Sequence, residues 1–396
     1  MSDLAPPSML RERTPHGHHR VTYVELFFDL VFAFAVTQIS HTLLRDFSPL
    51  AVLQVTLLFL AVWWVWIYTS WVTNWLDPEQ TPVRVLLFLM MLGGLVLSTS
   101  LPAAFGTRGA AFGLAFAAMQ VGRSAFTLWL IPASEPAMRL NFVRILTWLT
   151  CSGALWIAGG FLPPGPRLAL WIGAIAIEYL GPAMRFRLPK LGASSIEDWD
   201  VEGGHIAERC AGFIIIALGE SLVVTGATFA DLSWTAETIA AFLAALGGSI
   251  AMWWVYFHKG VEAGAETITR IKDPGRLARL AYTYFHMPIV AGIIVAAVAD
   301  ELVLAHPAGP SGTNVIFSAV GGALLFLVGT TLFKWAVRGR IQLSHVVGSA
   351  TLLGVGVVAP WLPPLALNVL TTLVMAGVAV WETLSLRADP VVVEDI

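Results

Sequence analysis

Residues 21–40 read VTYVELFFDLVFAFAVTQIS, an almost wholly apolar run that nevertheless contains Glu25 and Asp29. A helix needs roughly 20 mostly apolar residues to cross about 30 Å of hydrocarbon, and this run has that length. Carboxylates within a span are costly, so they usually face the interior of a helical bundle and serve a function. Because residues four apart share one face of a helix, the run predicts a first membrane helix with two acids on its inner face.

The composition of the whole chain points the same way. Of the 396 residues, 57% are hydrophobic, only 12% are charged and 16 are tryptophans. These values lie outside the range of soluble globular domains and predict an all-α polytopic membrane protein. The sequence contains no phosphate loop, zinc pair or dinucleotide fingerprint, so we expect no cofactor. The HGHH cluster at residues 16–19 does not by itself predict a metal site, because it lies on a polar tail.

Twelve segments are long and apolar enough to be predicted as membrane spans, and polar or Pro- and Gly-containing breaks separate them. The predicted spans are 24–44, 50–74, 82–103, 110–131, 142–161, 167–184, 205–228, 236–258, 280–304, 314–337, 343–361 and 365–384. Nineteen of the 23 basic residues then fall on the side that holds both termini, and only Arg45, Arg108 and Arg167 fall on the other. The positive-inside rule therefore predicts that both termini are cytoplasmic.

Several sequence anchors occur twice in the same order, which predicts two parallel six-helix repeats. AVWWVWIY at 61–68 matches AMWWVYFH at 251–258, and VGRSAF at 121–126 matches VGTTLF at 328–333. The remaining pairs are Glu25 with Glu208, the FLPP ending at Pro164 with the WLPP ending at Pro364, and Glu178 with Glu382. The predicted division is a tail at 1–22, repeat 1 at 23–187, a cytoplasmic linker at 188–202, repeat 2 at 203–388 and a tail at 389–396.

Ionisable residues inside or at the ends of the predicted spans are the candidates for a pathway or binding site. They are Glu25, Asp29, Arg123, Glu178, Glu208, Arg209, Glu220, His286 and Glu382. Glu220 is the deepest of the acids, and Arg123 is expected to pair with an intramembrane carboxylate. The competing interpretation is that static salt bridges lock the helices together, with Glu25 serving only as a first-turn acid. We also expect Asp29 and Glu220 to form a negatively charged vestibule that opens towards the cytoplasm.

The sequence resembles the low temperature requirement protein A (LtrA) family of bacterial membrane proteins. The residues that carry this resemblance are VTYVELFFDLVFAFAVTQISHTL at 21–43, the tryptophan-rich run at 63–79, GGHIAERCAGFIIIALGES at 203–221 and YTYFHMP at 282–288. The stretch ELFFDLVFAFAVT is more distantly similar to the first helix of lysosomal-type potassium channels, which contain two six-helix bundles. That similarity implies a duplicated bundle and ion conduction. It transfers no filter or gate residues, because Phe28 replaces the family's Ser and Gly212 replaces an acid in the second half.

These observations lead to a functional hypothesis with two alternatives. The first hypothesis is a transporter or channel for a small solute or ion, with cations or protons favoured, and with helices 1 and 7 lining a pathway between the repeats. The alternatives are a membrane-embedded enzyme that uses Glu, Asp and His groups, and a non-catalytic scaffold or stress sensor. We expect the bacterial inner membrane as the location, the lipid bilayer and a small ion or solute as partners, and no nucleic acid. A homo-oligomer is left open.

Overall fold

The computed structural model describes residues 9–11, 20–194, 201–258 and 277–388, and these fold into twelve long helices with no β-strand in the described ranges. The all-α architecture predicted from the sequence is confirmed. The helices are α1 (Tyr23–Arg45), α2 (Pro49–Trp75), α3 (Thr81–Ser100), α4 (Gly109–Leu130), α5 (Pro136–Gly160), α6 (Pro164–Ala183), α7 (Gly203–Ala230), α8 (Ala236–Phe257), α9 (His286–Ala305), α10 (Thr313–Arg338), α11 (Leu343–Val358) and α12 (Pro364–Ala388).

Prolines and capping residues set most helix ends. Ser48 caps α2 by accepting a hydrogen bond from Ala51 N at 3.3 Å, and Pro49 occupies the first helical position, where no amide hydrogen is needed. Helix α5 begins at Pro136, six residues before the predicted start, for the same reason. Gly339 ends α10 with a φ of 68°, a left-handed conformation that glycine adopts without strain. The short break predicted before the last helix is a single 3-10 turn at Ala359–Trp361.

Ten helical segments are long and apolar enough to span a membrane, which makes this a multi-pass membrane protein. The two long helices outside that group are α4 and α6, which contain the buried residues Arg123 and Glu178. A π-helical segment, Ala278–Tyr284, extends α9 at its N-terminal end. The tryptophans Trp63, Trp64 and Trp66 of α2 are fully buried, so they contribute to packing rather than to an exposed stacking surface.

The chain forms two compact units that divide within α7, between Gly212 and Phe213. The first unit contains α1–α6 and the first turns of α7, and the second contains the rest of α7 and α8–α12. The sequence analysis had placed the division in the linker at 188–202. Part of that linker (195–200), both predicted tails for the most part, and the HGHH cluster lie outside the described residues.

Glycines allow α9 and α10 to pack with their backbones in contact. A Cβ on Gly292 would lie 2.5 Å from Phe326 N, and a Cβ on Gly322 would lie 2.6 Å from Ala296 N. Helix association in lipid depends on such close packing, because burial from water does not drive it there. The second unit is therefore built around a tight pair of neighbouring helices.

Candidate functional site

Glu25 connects the N-terminal segment, α1 and α7 within the first unit. Its side chain is fully buried, and Oε2 accepts hydrogen bonds from Thr22 N at 2.9 Å and from Arg11 Nη2 at 3.2 Å. Oε1 accepts from Arg209 Nη1 at 3.0 Å and lies 2.8 Å from His205 Nε2. The residue thus caps the first turn of its own helix, as the structural interpretation proposed, and also binds two basic side chains from α7.

Arg209 binds both acids of the first helix. Its Nη1 donates to Glu25 Oε1 and to Thr73 Oγ1, and its Nη2 donates to Asp29 Oδ1 at 2.5 Å. Trp66 Nε1 donates to the same Asp29 oxygen at 2.8 Å, and the guanidinium carbon lies 5.8 Å from the Trp66 ring centroid. The sequence predicted that Glu25 and Asp29 share one face, and this shared arginine shows that they do.

His205 is oriented by Asn74, whose own orientation is set by the backbone of Glu202. Asn74 Oδ1 accepts from Glu202 N at 2.9 Å and Asn74 Nδ2 donates to Glu202 O at 2.8 Å, which assigns the two ends of the amide. The same Nδ2 lies 3.2 Å from His205 Nδ1, so that nitrogen accepts. His205 Nε2 therefore carries the hydrogen and donates it to Glu25, as a neutral imidazole.

The charges of this network balance, because Arg209 and Arg11 oppose Glu25 and Asp29. Asp29 therefore does not present the free negative charge that a vestibule shared with Glu220 required, and the network is built from residues of the first unit. Pairing is incomplete at two atoms, however. Asp29 Oδ2 and Arg209 Nε are buried and have no hydrogen-bond partner in the part of the chain that the structure describes. Buried polar groups are rarely left in this way, so both atoms are open to a further ligand.

A second network in the first unit surrounds Arg123. Arg123 Nη2 donates to Gln120 Oε1 at 2.6 Å, and Nη1 donates to Thr69 Oγ1 and to Val65 O. Gln120 Nε2 then donates to Glu178 Oε2 at 2.9 Å, and Ser152 Oγ donates to Glu178 Oε1. The direct ion pair that we expected for Arg123 is thus replaced, among the described contacts, by a bridge through the Gln120 amide. A neutral amide can bridge the two charges because it offers an acceptor to the arginine and a donor to the acid.

The second unit contains a compact ion pair at Glu382. Lys334 Nζ lies 2.6 Å from Glu382 Oε1 and 2.7 Å from Oε2, and it also donates to Val255 O at 2.7 Å. His345 Nε2 lies 3.5 Å from Glu382 Oε2, and His345 Nδ1 lies 3.0 Å from Thr331 Oγ1. All three ammonium hydrogens therefore have acceptors, which makes this pair a well-satisfied structural contact.

The remaining candidates lie apart from these networks. His286 is buried, its Nδ1 donates to Ala281 O at 2.8 Å, and its Nε2 lies 2.7 Å from the Tyr256 hydroxyl, so both ring nitrogens are used. Glu208 accepts from Val21 N at 3.1 Å. Glu220 is half-buried in the part of α7 that belongs to the second unit.

Several residues of these sites were not recognised from the sequence. Gln120 precedes Arg123 by three positions and so shares its helix face, a signal that could have revealed the bridge. Lys334 and Arg209 were counted as basic residues near the membrane surface, yet both are buried in ion pairs. Asp300 lies inside a predicted span and was passed over, although its carboxylate is buried in α9.

Comparison with known proteins adds the family. The model for the bacterial low temperature requirement A protein (LtrA) family matches residues 20–380. An uncharacterised protein of Rhizobium meliloti (strain 1021) is 41% identical over 369 residues, which cover 93% of this chain and 90% of that protein. No solved structure matches significantly. The match covers both units and all three charge networks, and the chain belongs to the LtrA family of bacterial membrane proteins.

Proposed function

We propose that this protein is a bacterial inner-membrane transporter or channel for a small ion or solute, with cations or protons favoured. In this proposal α1 and α7 line the pathway, and Arg209, Asp29 and Glu25 form its switchable contact. The observation that carries the proposal is the division of one buried arginine between two carboxylates. A further observation supports it, because Asp29 Oδ2 and Arg209 Nε lack partners in the described chain.

This geometry suits a contact that must open. The strongest arginine–carboxylate pairs are bidentate, with two parallel hydrogen bonds to one carboxylate. Arg209 instead places Nη1 on Glu25 and Nη2 on Asp29, and leaves Nε–H unused. A proton or cation that neutralises Asp29 would cost only one of these bonds, and Arg209 would keep its bond to Glu25. Occupancy of Asp29 would then weaken the link between α1 and α7, which is the coupling that a transporter needs.

Equivalent contacts in the two units support the proposed repeat. In each unit a cationic side chain on the fourth helix donates to a backbone carbonyl on the second: Arg123 to Val65 O, and Lys334 to Val255 O. The two valines each stand two residues after the first tryptophan of the pairs Trp63–Trp64 and Trp253–Trp254. In each unit an acid on the sixth helix, Glu178 or Glu382, completes the network. Duplicated halves are common in transporter folds.

The test is Asp29→Asn in the purified full chain reconstituted into liposomes. Asparagine keeps an oxygen that can accept from Trp66 and Arg209 but removes the charge. We expect normal expression and melting temperature, with cation or proton flux lowered by about tenfold or more, since loss of one buried charge interaction is worth over 1.4 kcal/mol. Glu79→Gln, which removes an exposed carboxylate, is the control and should leave flux unchanged.

Two results would count against transport. One is wild-type liposomes that show no flux of sodium, potassium or protons above that of empty liposomes. The other is an Asp29→Asn protein that folds normally and carries the same flux as the wild type. In either case the networks would be structural, and the scaffold interpretation would account for them better.

The enzyme alternative gains no comparable support. Within the described ranges no group of three or more His, Cys, Asp or Glu side chains is placed to hold a metal ion. The histidines of the networks are engaged in hydrogen bonds with Asn74 and Glu25 in one case, and with Ala281 and Tyr256 in the other.

A further inference from the structure

A small cavity of about 30 Å³ lies among five helices of the second unit, α7–α10 and α12. Apolar side chains form most of its wall, but six polar residues also line it: Ser221, Ser249, Asp300, Asn368, Thr371 and Thr372. A cavity needs roughly 10–15 Å³ of such space to hold one water molecule. The available space therefore fits one small ion, or one or two waters.

Asp300 supplies the charge in this cavity. It lies five residues before the end of α9 and only 7% of it is exposed. Asn368 Nδ2 donates to Asp300 Oδ1 at 3.1 Å, and among the described residues no Lys, Arg or His side chain lies within salt-bridge distance of the carboxylate. This distinguishes Asp300 from Asp29 and Glu382, which bind basic side chains. A buried carboxylate without a cation is expected to take up a proton or a cation.

Two serines that line the cavity have unused hydroxyl groups. Buried serines on membrane helices usually donate to the carbonyl one turn earlier, as Ser124 and Ser318 do here. Ser221 and Ser249 are 6% and 9% exposed, and neither makes a hydrogen bond to another group in the described part of the chain. Their oxygens are free to bind whatever occupies the cavity.

The two threonines add oxygens whose lone pairs are still available. Thr371 Oγ1 donates to Asn368 O at 2.9 Å, and Thr372 Oγ1 donates to Ala244 O at 3.1 Å. Each hydroxyl hydrogen is therefore used, while the oxygen can still accept or coordinate. The wall of the cavity thus combines one carboxylate with several neutral oxygens.

We propose that Asp300, Ser221 and Ser249, together with neighbouring threonine oxygens, form a binding site for a dehydrated monovalent cation the size of sodium. Oxygen ligands select hard cations, and a single carboxylate neutralises a single positive charge. Calcium sites generally use several carboxylates, and magnesium keeps much of its water, for which this cavity is too small. The proposal rests on the proposed function only in assigning a use to the ion, as the species carried or as the coupling ion.

Binding can be measured without any assumption about flux. The purified full chain in detergent is placed in choline chloride, and NaCl is added at constant ionic strength while the melting temperature and the binding of ²²Na⁺ are followed. We expect a saturable rise in melting temperature, because a ligand that binds only the folded state stabilises it by mass action. Potassium chloride at the same concentration should produce a much smaller rise.

The variants locate the site. Asp300→Asn keeps the shape and an acceptor oxygen, and should weaken sodium binding by about 100-fold or more, as expected for a buried ion that loses its counter-charge. Ser221→Ala and Ser249→Ala should weaken binding by smaller factors. Ser318→Ala is the matched control, because Ser318 is an equally buried serine of the same unit that does not line the cavity, and it should bind sodium as the wild type does.

The outcomes separate this proposal from the proposed function. Wild-type protein that gains no stability from sodium, or an Asp300→Asn protein that binds sodium equally well, overturns the cation site. Stabilisation by acid alone, abolished in Asp300→Asn, also overturns it and identifies Asp300 as a proton site. Sodium binding that depends on Asp300, in a protein that shows no flux in liposomes, retains the site and overturns transport.

Discussion

At the scale of single residues, the cationic side chains Arg209 and Lys334 form opposite kinds of contact. Lys334 has three hydrogens, and it binds both oxygens of Glu382 and the carbonyl of Val255. Arg209 divides its bonds between two acids and leaves Nε–H without a partner among the described residues. A fully satisfied pair holds its helices in one arrangement, whereas an incompletely satisfied one can exchange partners. We therefore assign Lys334 a structural role and Arg209 a functional one.

Replacement of Lys334 by methionine tests the structural role. The substitution leaves Glu382 buried without its cation, which typically costs about 3–5 kcal/mol. We expect a marked fall in melting temperature, measured in detergent by intrinsic tryptophan fluorescence. The double variant Lys334→Met, Glu382→Met should recover most of the loss, since apolar residues of similar size can replace a buried pair. A single variant as stable as the wild type would show that the pair contributes little.

At the scale of helices, the sequence predicted the existence of every long helix and most of its boundaries. Length, apolar composition and proline breaks are local properties, so the spans could be read directly from the residues. The networks could not be predicted in the same way. Arg209 contacts residues 180 and 184 positions earlier in the chain, and only the folded bundle determines that this arginine meets Asp29 and Glu25. The Gln120 bridge depends on similar long-range packing, through Glu178.

The packing of α9 against α10 gives a prediction with a neighbouring control. A Cβ at Gly322 would lie 2.6 Å from Ala296 N, whereas a Cβ at Gly321 would meet no atom within 4 Å. Gly322→Ala should therefore force the helices apart and cost about 1–3 kcal/mol, as overpacking usually does. Gly321→Ala should leave the melting temperature unchanged or raise it, because alanine favours helix more than glycine does. Thermal unfolding of both variants in detergent measures the difference, and equal melting temperatures would contradict the contact.

At the scale of the whole molecule, the location of basic residues predicts which way the chain crosses the membrane. Arg209 and Lys334 were counted on the cytoplasmic side, but they are buried and paired, so they provide no information about topology. The bias remains after they are removed, because only three basic residues lie on the opposite side. The prediction of cytoplasmic termini therefore depends on the residues of the connecting segments.

Cysteine labelling tests this orientation directly. Cys151 is exposed and would be replaced by serine, whereas Cys210 is buried and can stay. In that background, Arg45→Cys and Arg108→Cys should react with a membrane-impermeant maleimide added to spheroplasts, because both follow an odd number of predicted spans. Arg187→Cys, in the exposed segment after α6, follows an even number and should react only after lysis. The reverse labelling pattern would place both termini outside, and the basic segments would then face away from the side where the positive-inside rule requires them.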